Sequence, residues 1–353
     1  MMVIDGSFGE GGGQILRTTL ALATALQKPV KIINIRAKRS NPGLQPQHLT
    51  VVRALAEISD AEIDGAFKGS RTLVFKPRDL KGGNYVFNIG TAGSISLVLQ
   101  ALLPVLSFAD RPSTVEIIGG TDVPWSPPID YIKHVMIPLL SRLGVKVLEI
   151  KVIRRGHYPR GGGRVRVAIT PVKVLNAINL TNFGKIIEVR GISHAVKLPC
   201  HVAKRQARAA SEFIRERLKI EPTIDIECYE PSKDPHLGPG SGIVVWAKGE
   251  HSIMGGDSLG AKGKRAEIVG KEAAMKLVED LSSNTALDRH MSDNIIPYLA
   301  LAHGTSRITG AKLTLHTYTN IHVVSKISGA EINYEGDLNK PFKVVVKGIG
   351  LSY

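Results

Sequence analysis

His316 stands in the run Thr314-Leu315-His316-Thr317-Tyr318-Thr319-Asn320, just ahead of a helix that the apolar spacing predicts over 318–327. An imidazole that follows a strand end and meets a helix N-terminus is favoured in its neutral form. A neutral ring nitrogen serves as a nucleophile or a base, although a lone histidine also occurs as a purely structural residue. A second run, Gly6-Ser7-Phe8-Gly9-Glu10-Gly11-Gly12-Gly13-Gln14, opens another predicted helix. Glycines there let backbone amides approach a phosphate at a helix start, or simply make a tight strand-to-helix turn. Glu10 among them would repel a phosphate unless a divalent cation stood between the two.

Arg17 falls one turn into that helix, and Arg36, Lys38 and Arg39 occupy the next loop, followed by Gln47 and His48. Clustered guanidinium groups suit bidentate phosphate contacts, and a solvated basic loop has the same composition. In Arg155-Gly156-His157-Tyr158-Pro159-Arg160-Gly161-Gly162-Gly163-Arg164, glycines between basic residues make either an anion cradle or a bulged hairpin. The phosphate-loop lysine motif, the dinucleotide fingerprint, the Gly-x-Ser-x-Gly elbow, the zinc-protease helix motif and Lys-x-Asp-Gly are all absent.

The balance of charge points the same way as these motifs. Lys and Arg number 46 against 31 Asp and Glu, a formal net charge of +15, and a field of that sign attracts polyanions. Aromatic residues are only 5%, too few for a surface that binds single strands mainly by stacking. A phosphate-bearing end of a nucleic acid is the partner this combination suggests. Hydrophobic residues at 43% supply a core, and no apolar run approaches the ~20 residues of a membrane span. Cys200 and Cys228 make no disulfide framework and have no zinc spacing. With no leader-like N-terminus either, the expectation is a cytoplasmic protein.

The elements that must position these residues recur in one order. A Gly-rich turn leads to a helix at 15–26, then a strand at 30–36, a polar loop, a helix at 47–58, and strands at 61–64 and 72–76. The same order follows with a helix from Gly90-Thr91-Ala92-Gly93 to 107, a strand at 114–118, a helix at 128–143 and strands at 146–153 and 164–169. It returns with helices at 290–302 and 318–327 and strands near 307–308, 330–334 and 343–347. The third set is about one small domain too long. Elements at 186–196, 202–218, 223–229 and 242–248 fill the excess, which places an inserted α/β domain at 184–278. In such a pseudo-symmetric fold the loops before each second helix, 36–46, 119–127 and 310–317, are expected to converge on one site.

The ordered set of motifs resembles one family. Asp5-Gly6 through Glu10-Gly-Gly-Gly-Gln14-Ile15-Leu16-Arg17, Ile35-Arg36-Ala37-Lys38-Arg39, Gln47-His48-Leu49, Gly119-Gly120-Thr121-Asp122 with Pro127-Pro128, the Arg155 to Val165 signature and His316-x-x-Thr319-Asn320 are similar, end to end, to the RNA 3′-terminal phosphate cyclases. The resemblance implies an α+β fold: a large domain, 1–183 and 279–353, of three repeated units, each two helices on a four-stranded sheet, with a smaller thioredoxin-like domain inserted at 184–278. It implies ATP and Mg²⁺ or Mn²⁺ as cofactors and RNA 3′-phosphate ends as substrate. His316 would carry AMP covalently, Arg17, Arg36 and Arg39 would neutralise transferring phosphates, and Glu10 would hold the metal. Carried over residue by residue, the ATP pocket would include His48, Gln100, Pro127, Tyr131, His290, Asp293 and Asn320, with His290 standing where family members often have tyrosine. Two other readings share the fold: a non-catalytic cyclase-like RNA-binding protein of ribosome assembly, whose relatives lack the histidine, and an enolpyruvyl transferase, which is built from six such units.

Overall fold

The computed structural model describes residues 1–353. In the first part of the chain β1 (Met2–Asp5), α1 (Gly13–Ala25), β2 (Val30–Ile33), α2 (Pro46–Ser59), β3 (Glu62–Asp64) and β4 (Leu73–Lys76) follow one another. Next come β5 (Asn84–Asn88), α3 (Ile95–Leu106), β6 (Ser113–Gly119), a helix made of α4 (Ile129–Tyr131), a π-helical segment (Ile132–Met136) and α5 (Ile137–Ser141), then β7 (Lys146–Arg154) and β8 (Gly163–Thr170). A two-residue strand, β9 (Asn179–Leu180), precedes β10 (Ile186–Val196), α6 (His201–Leu218), β11 (Thr223–Cys228), β12 (Gly240–Gly249), β13 (Ile253–Leu259) and α7 (Ala266–Leu281). The chain ends with α8 (Met291–Asn294), α9 (Ile296–Leu301), β14 (His303–Gly310), α10 (Leu315–Ser328), β15 (Glu331–Glu335) and β16 (Phe342–Ile349).

These elements form a mixed α+β structure with four four-stranded sheets. Three of the sheets, β1-β2-β4-β3, β5-β6-β8-β7 and β9-β14-β16-β15, share one connectivity. Each begins with a parallel pair and continues with antiparallel ones. The opening strands β1, β5 and β9 were not expected from the sequence. They are short, and β9 has too few residues to show any alternation. The fourth sheet, β11-β10-β12-β13, is covered by α6 and α7.

One core of 72 buried residues spans the first three sheets and takes in Val244 and Trp246 of β12, whereas a separate cluster of 12, including Val189, Ala210, Ile214, Val245 and Ala273, lies under α6 and α7. At the centre, α1 packs against α2, α3 and α10. Almost all of α1 is buried, and its Thr18, Thr19, Ala21, Ala23, Thr24 and Ala25 are small enough for neighbouring helices to approach closely. Its polar residues Gln14 and Thr18 therefore meet α10 rather than solvent.

Several expectations need correction. The strand β13 (Ile253–Leu259) was not expected, because Gly255 and Gly256 break its pattern. A Cβ at Gly255 would lie 2.8 Å from the Tyr131 ring, and one at Gly256 would lie 2.3 Å from the Ala273 carbonyl, so packing demands both glycines. The helix expected at 290–302 is two short helices meeting at Ile295, next to Pro297. The boundary placed at 278 falls inside α7, a continuous helix whose Val269, Ala273, Ala274 and Leu277 belong to the small cluster. Cys200 and Cys228 are disulfide-bonded, tying the start of α6 to the end of β11. No helix is long and apolar enough to cross a membrane.

Candidate active site

His316 is the second residue of α10, not a residue ahead of it. Thr314 caps the helix, its hydroxyl accepting from the Thr317 N–H at 3.1 Å. This cap, which the sequence reading did not use, sets the helix start at Leu315. Spacings of three and four then put His316, Thr319 and Asn320 on one face, toward α1. Thr319 Oγ1 accepts from the Glu10 N–H at 3.0 Å, which fixes the glycine turn. Asn320 accepts from Thr18 Oγ1 at 2.8 Å and donates to the Asp293 carbonyl at 2.9 Å, so its side chain clamps α10 to α1 and α8.

Gln14 connects the remaining groups. Its amide donates to both Asp293 carboxylate oxygens at 2.7 Å, and its carbonyl oxygen accepts from His316 Nδ1–H at 3.0 Å. With the proton held on Nδ1, the lone pair of His316 lies on Nε2, 3.9 Å from Glu10 Oε1. Gln14 belonged to the motif read in the sequence but was not counted as a site residue. Only the approach of α1 to α10 reveals its place between Asp293 and His316.

Charge and burial set the protonation states. Desolvation, helped by Arg17 and Arg39, holds the His316 imidazole below its ordinary value against the opposing pull of Asp293. Burial pushes the Asp293 carboxyl up, opposed by His316, Gln14 and Arg17. Burial also lowers Arg17 to about 10, which leaves it cationic at neutral pH.

The side chains of Gln14, Arg17, Gln100, Pro127, His290, Asp293, His316 and Asn320 line a cleft of about 380 Å³. Its rim carries Trp125, 98% exposed and held at φ +61°, a backbone region costly for a bulky residue. Arg289, Asp257 and Lys276 complete the wall. Asp257 lies on β13 and Lys276 on α7, so the segment read as an appendage supplies part of this cleft. Asp280, further along α7, holds Arg289 through contacts of 2.7 Å and 3.0 Å.

Glu10, Arg36, Arg39 and His48 sit beside the cleft. Arg39 makes an ion pair with Glu10, and Lys38 Nζ donates to the Gly9 carbonyl at 3.1 Å, so this loop folds over the glycine turn. Arg36 spends its guanidinium on the carbonyls of Asn41 and Gly43, which closes its own loop rather than reaching into the cleft. His48 accepts from the Gln45 N–H through Nδ1 at 3.3 Å, and desolvation with Arg17 and Arg36 nearby lowers it to about 3. Gly13 is required there, since a Cβ would lie 2.3 Å from His48 Nε2.

Tyr131 is the residue the structure moves furthest from its expected role. It is fully buried, donates its hydroxyl to Asp288 Oδ1 at 2.7 Å, and meets His290 edge-on from behind the cleft wall. The Arg155 segment also proves to be a joint rather than an open cradle. Arg155 is buried against Asp122, Asp130 and Glu227, and the glycines allow close packing: a Cβ at Gly161 would lie 2.8 Å from Ala92 Cα, and one at Gly163 would lie 2.7 Å from the Gly156 nitrogen.

Comparison with known proteins places the chain in a family. Residues 8–334 match the family model described as RNA 3′-terminal phosphate cyclase. A protein of that name from Hyperthermus butylicus is 62% identical over 354 residues, covering 99% of this chain and 98% of the relative. Proteins of the same name from Ignicoccus hospitalis and Methanopyrus kandleri are 56% and 50% identical, each with 99% of both chains covered.

Proposed function

This chain belongs to the RNA 3′-terminal phosphate cyclase family and is one of its enzymes; from that premise we propose that it closes RNA 3′-phosphate ends to 2′,3′-cyclic phosphodiesters at the expense of ATP, through an adenylylated His316. The observation that carries this reading is the Asp293–Gln14–His316 chain of hydrogen bonds, which leaves a neutral Nε2 free beside Glu10. A non-catalytic relative would have no use for it.

In the first step Nε2 attacks the α-phosphorus of ATP, a P–N bond forms, and pyrophosphate leaves. A terminal phosphate oxygen of the RNA then attacks that phosphorus and breaks the P–N bond. His316 is released and RNA(3′)pp(5′)A forms. Finally the 2′-hydroxyl loses its proton and attacks the adjacent 3′-phosphorus, and AMP departs. Adenylylation is needed because a phosphate monoester repels nucleophiles and has no good leaving group, whereas the vicinal hydroxyl is already in place. Arg17, in the cleft wall, is the cation best placed to stabilise the charge developing on the phosphates, with Arg39 next to Glu10.

Glu10 suits a divalent cation: its carboxylate is nearly buried, Arg39 pairs with Oε1, and Oε2 has no hydrogen-bond partner. One carboxylate together with substrate phosphates is a usual set for Mg²⁺, which would supply charge neutralisation there. Glu10→Ala should therefore slow adenylylation by ATP much more than cyclisation of pre-adenylylated RNA, with partial rescue by raised Mg²⁺ or Mn²⁺. Unchanged metal dependence would leave Glu10 as a turn residue.

The depressed basicity of His316 has a definite sign. A neutral nucleophile persists below the ordinary imidazole value of 6.5, so the adenylylation rate should stay level as pH falls through 6.5 and drop only at lower pH. Gln14→Met removes the Nδ1 acceptor and should lower that rate by roughly 10–100-fold, the range found when an outer partner of a metal-bound histidine is lost.

The shared connectivity of three sheets supports reading them as repeated units of one large domain. The separate small core supports the fourth sheet with α6 and α7 as a smaller thioredoxin-like insert, which then extends to Leu281. The deciding test of function is incubation of a 3′-phosphate RNA with ATP and Mg²⁺. The end should become resistant to phosphatase, and an end that stays sensitive would refute the proposal.

A further inference from the structure

Away from the cleft, three side chains from separate elements converge on one buried point. Asp122 follows β6, His157 lies in the β7–β8 connection, and His194 is on β10. Each is buried, and their ligand-capable atoms all lie within 4.8 Å of one another. The Nε2 atoms of His157 and His194 are 3.0 Å apart. Two nitrogens bound to one zinc ion at ~2.0–2.1 Å in tetrahedral geometry stand about 3.3 Å apart, so the two rings are spaced as neighbouring ligands would be.

The surroundings fit an ion better than a hydrogen-bonded histidine pair. Asp122 Oδ2 accepts from Thr121 Oγ1 at 2.6 Å and from Arg155 Nη1 at 3.2 Å. Its other oxygen, Oδ1, is buried with no partner. A carboxylate oriented through one oxygen with the other left free is how protein ligands to metals are commonly held. Charge is out of balance too. Arg155 faces three carboxylates, Asp122, Asp130 and the partly exposed Glu227, so the two buried ones, Asp122 and Asp130, share a single positive charge. Burying uncompensated charge is costly, and a dication would cancel it. Room for the rings is built into β12: a Cβ at Gly240 would lie 2.0 Å from the His157 ring, and one at Gly242 would lie 3.0 Å from His194 Cε1.

We propose that Asp122, His157 and His194 bind one divalent transition-metal ion, zinc by the chemistry of a two-histidine, one-carboxylate set. The ion serves as a clamp. His194 lies on the fourth sheet, whereas Asp122 and His157 lie in connections at the ends of second-sheet strands, so metal binding ties the second sheet's connections to the fourth sheet. It is a different site from the one at Glu10, with different ligand chemistry.

The test uses the full chain, stripped with a chelator and titrated with Zn²⁺ and with Co²⁺. The expected result is about one tightly held equivalent of zinc, visible Co²⁺ bands of a four-coordinate site, and a melting temperature that rises with metal. His194→Gln and His157→Ala should each weaken binding by more than the roughly 10–100-fold typical of losing an outer partner, and should abolish the metal-dependent rise in melting temperature. Glu10→Ala should keep the equivalent. If a histidine variant fails to fold, the Co²⁺ spectrum and metal-dependent melting of the unmodified chain decide. Absence of both, or histidine variants that bind zinc as tightly as the unmodified chain, would overturn the proposal and leave a hydrogen-bonded histidine pair.

Discussion

His316→Ala should abolish formation of a covalent enzyme–AMP adduct, with a loss on the order of 10⁴-fold or more in the overall reaction, as for other enzymes stripped of their nucleophile. The adduct on the unmodified chain, seen as retention of α-labelled ATP on a denaturing gel, should be acid-labile and comparatively stable to alkali, as a P–N bond is. The alanine variant should still cyclise RNA supplied as RNA(3′)pp(5′)A, because the last step needs only the 2′-hydroxyl and the charge-stabilising groups. Binding of ATP should change little. The imidazole is half exposed and its only hydrogen bond to protein is to Gln14, so removing it leaves no buried group stranded apart from one amide oxygen. Full labelling of the variant by ATP would rule out His316 as the nucleophile.

The second large effect concerns stability. Arg155→Leu should leave Asp122, Asp130 and Glu227 facing one another without the guanidinium that now contacts them at 3.2 Å, 2.7 Å and 2.6 Å. Removing one partner of a buried ionic cluster costs on the order of 3–5 kcal/mol, far more than an exposed ion pair is worth. At ~2–4 °C per kcal/mol for chains somewhat smaller than this one, the melting temperature should fall by roughly 10 °C. Adding Asp130→Asn should recover part of the loss, because it removes one of the stranded charges. Differential scanning calorimetry of the single and double variants provides the measurement. An unchanged melting temperature for Arg155→Leu would show that the cluster contributes nothing to stability. By contrast, Arg205, Arg208 and Arg215 pair with Glu267, Glu212 and Glu221 at the surface, and replacing any of them should be nearly silent.

What the sequence determined by itself was the inventory of chemistry and most of the local structure. Apolar spacing located α2, α3 and α6 and strands such as β7, β8 and β10, because helical and strand periodicities are local properties of the chain. The motif set around Glu10, Arg17, Arg39 and His316 was legible because unusual residues fall close together in sequence there. Pairing of short strands was not legible: β1, β5 and β9 owe their conformation to parallel partners dozens of residues away. The strand at Ile253–Leu259 was hidden by Gly255 and Gly256, whose presence makes sense only once Tyr131 and α7 are seen packed on them. The tertiary structure alone decided how side chains are spent. Tyr131 and Arg36 were assigned to the site by motif, but burial gives Tyr131 to Asp288 and loop closure takes up Arg36. Gln14 became central because α1 meets α10 across 302 residues of sequence. The Asp122–His157–His194 cluster has no sequence signature for the same reason. Its members come from separate elements, and a three-dimensional coincidence of ligands leaves no spacing for a one-dimensional reading to find.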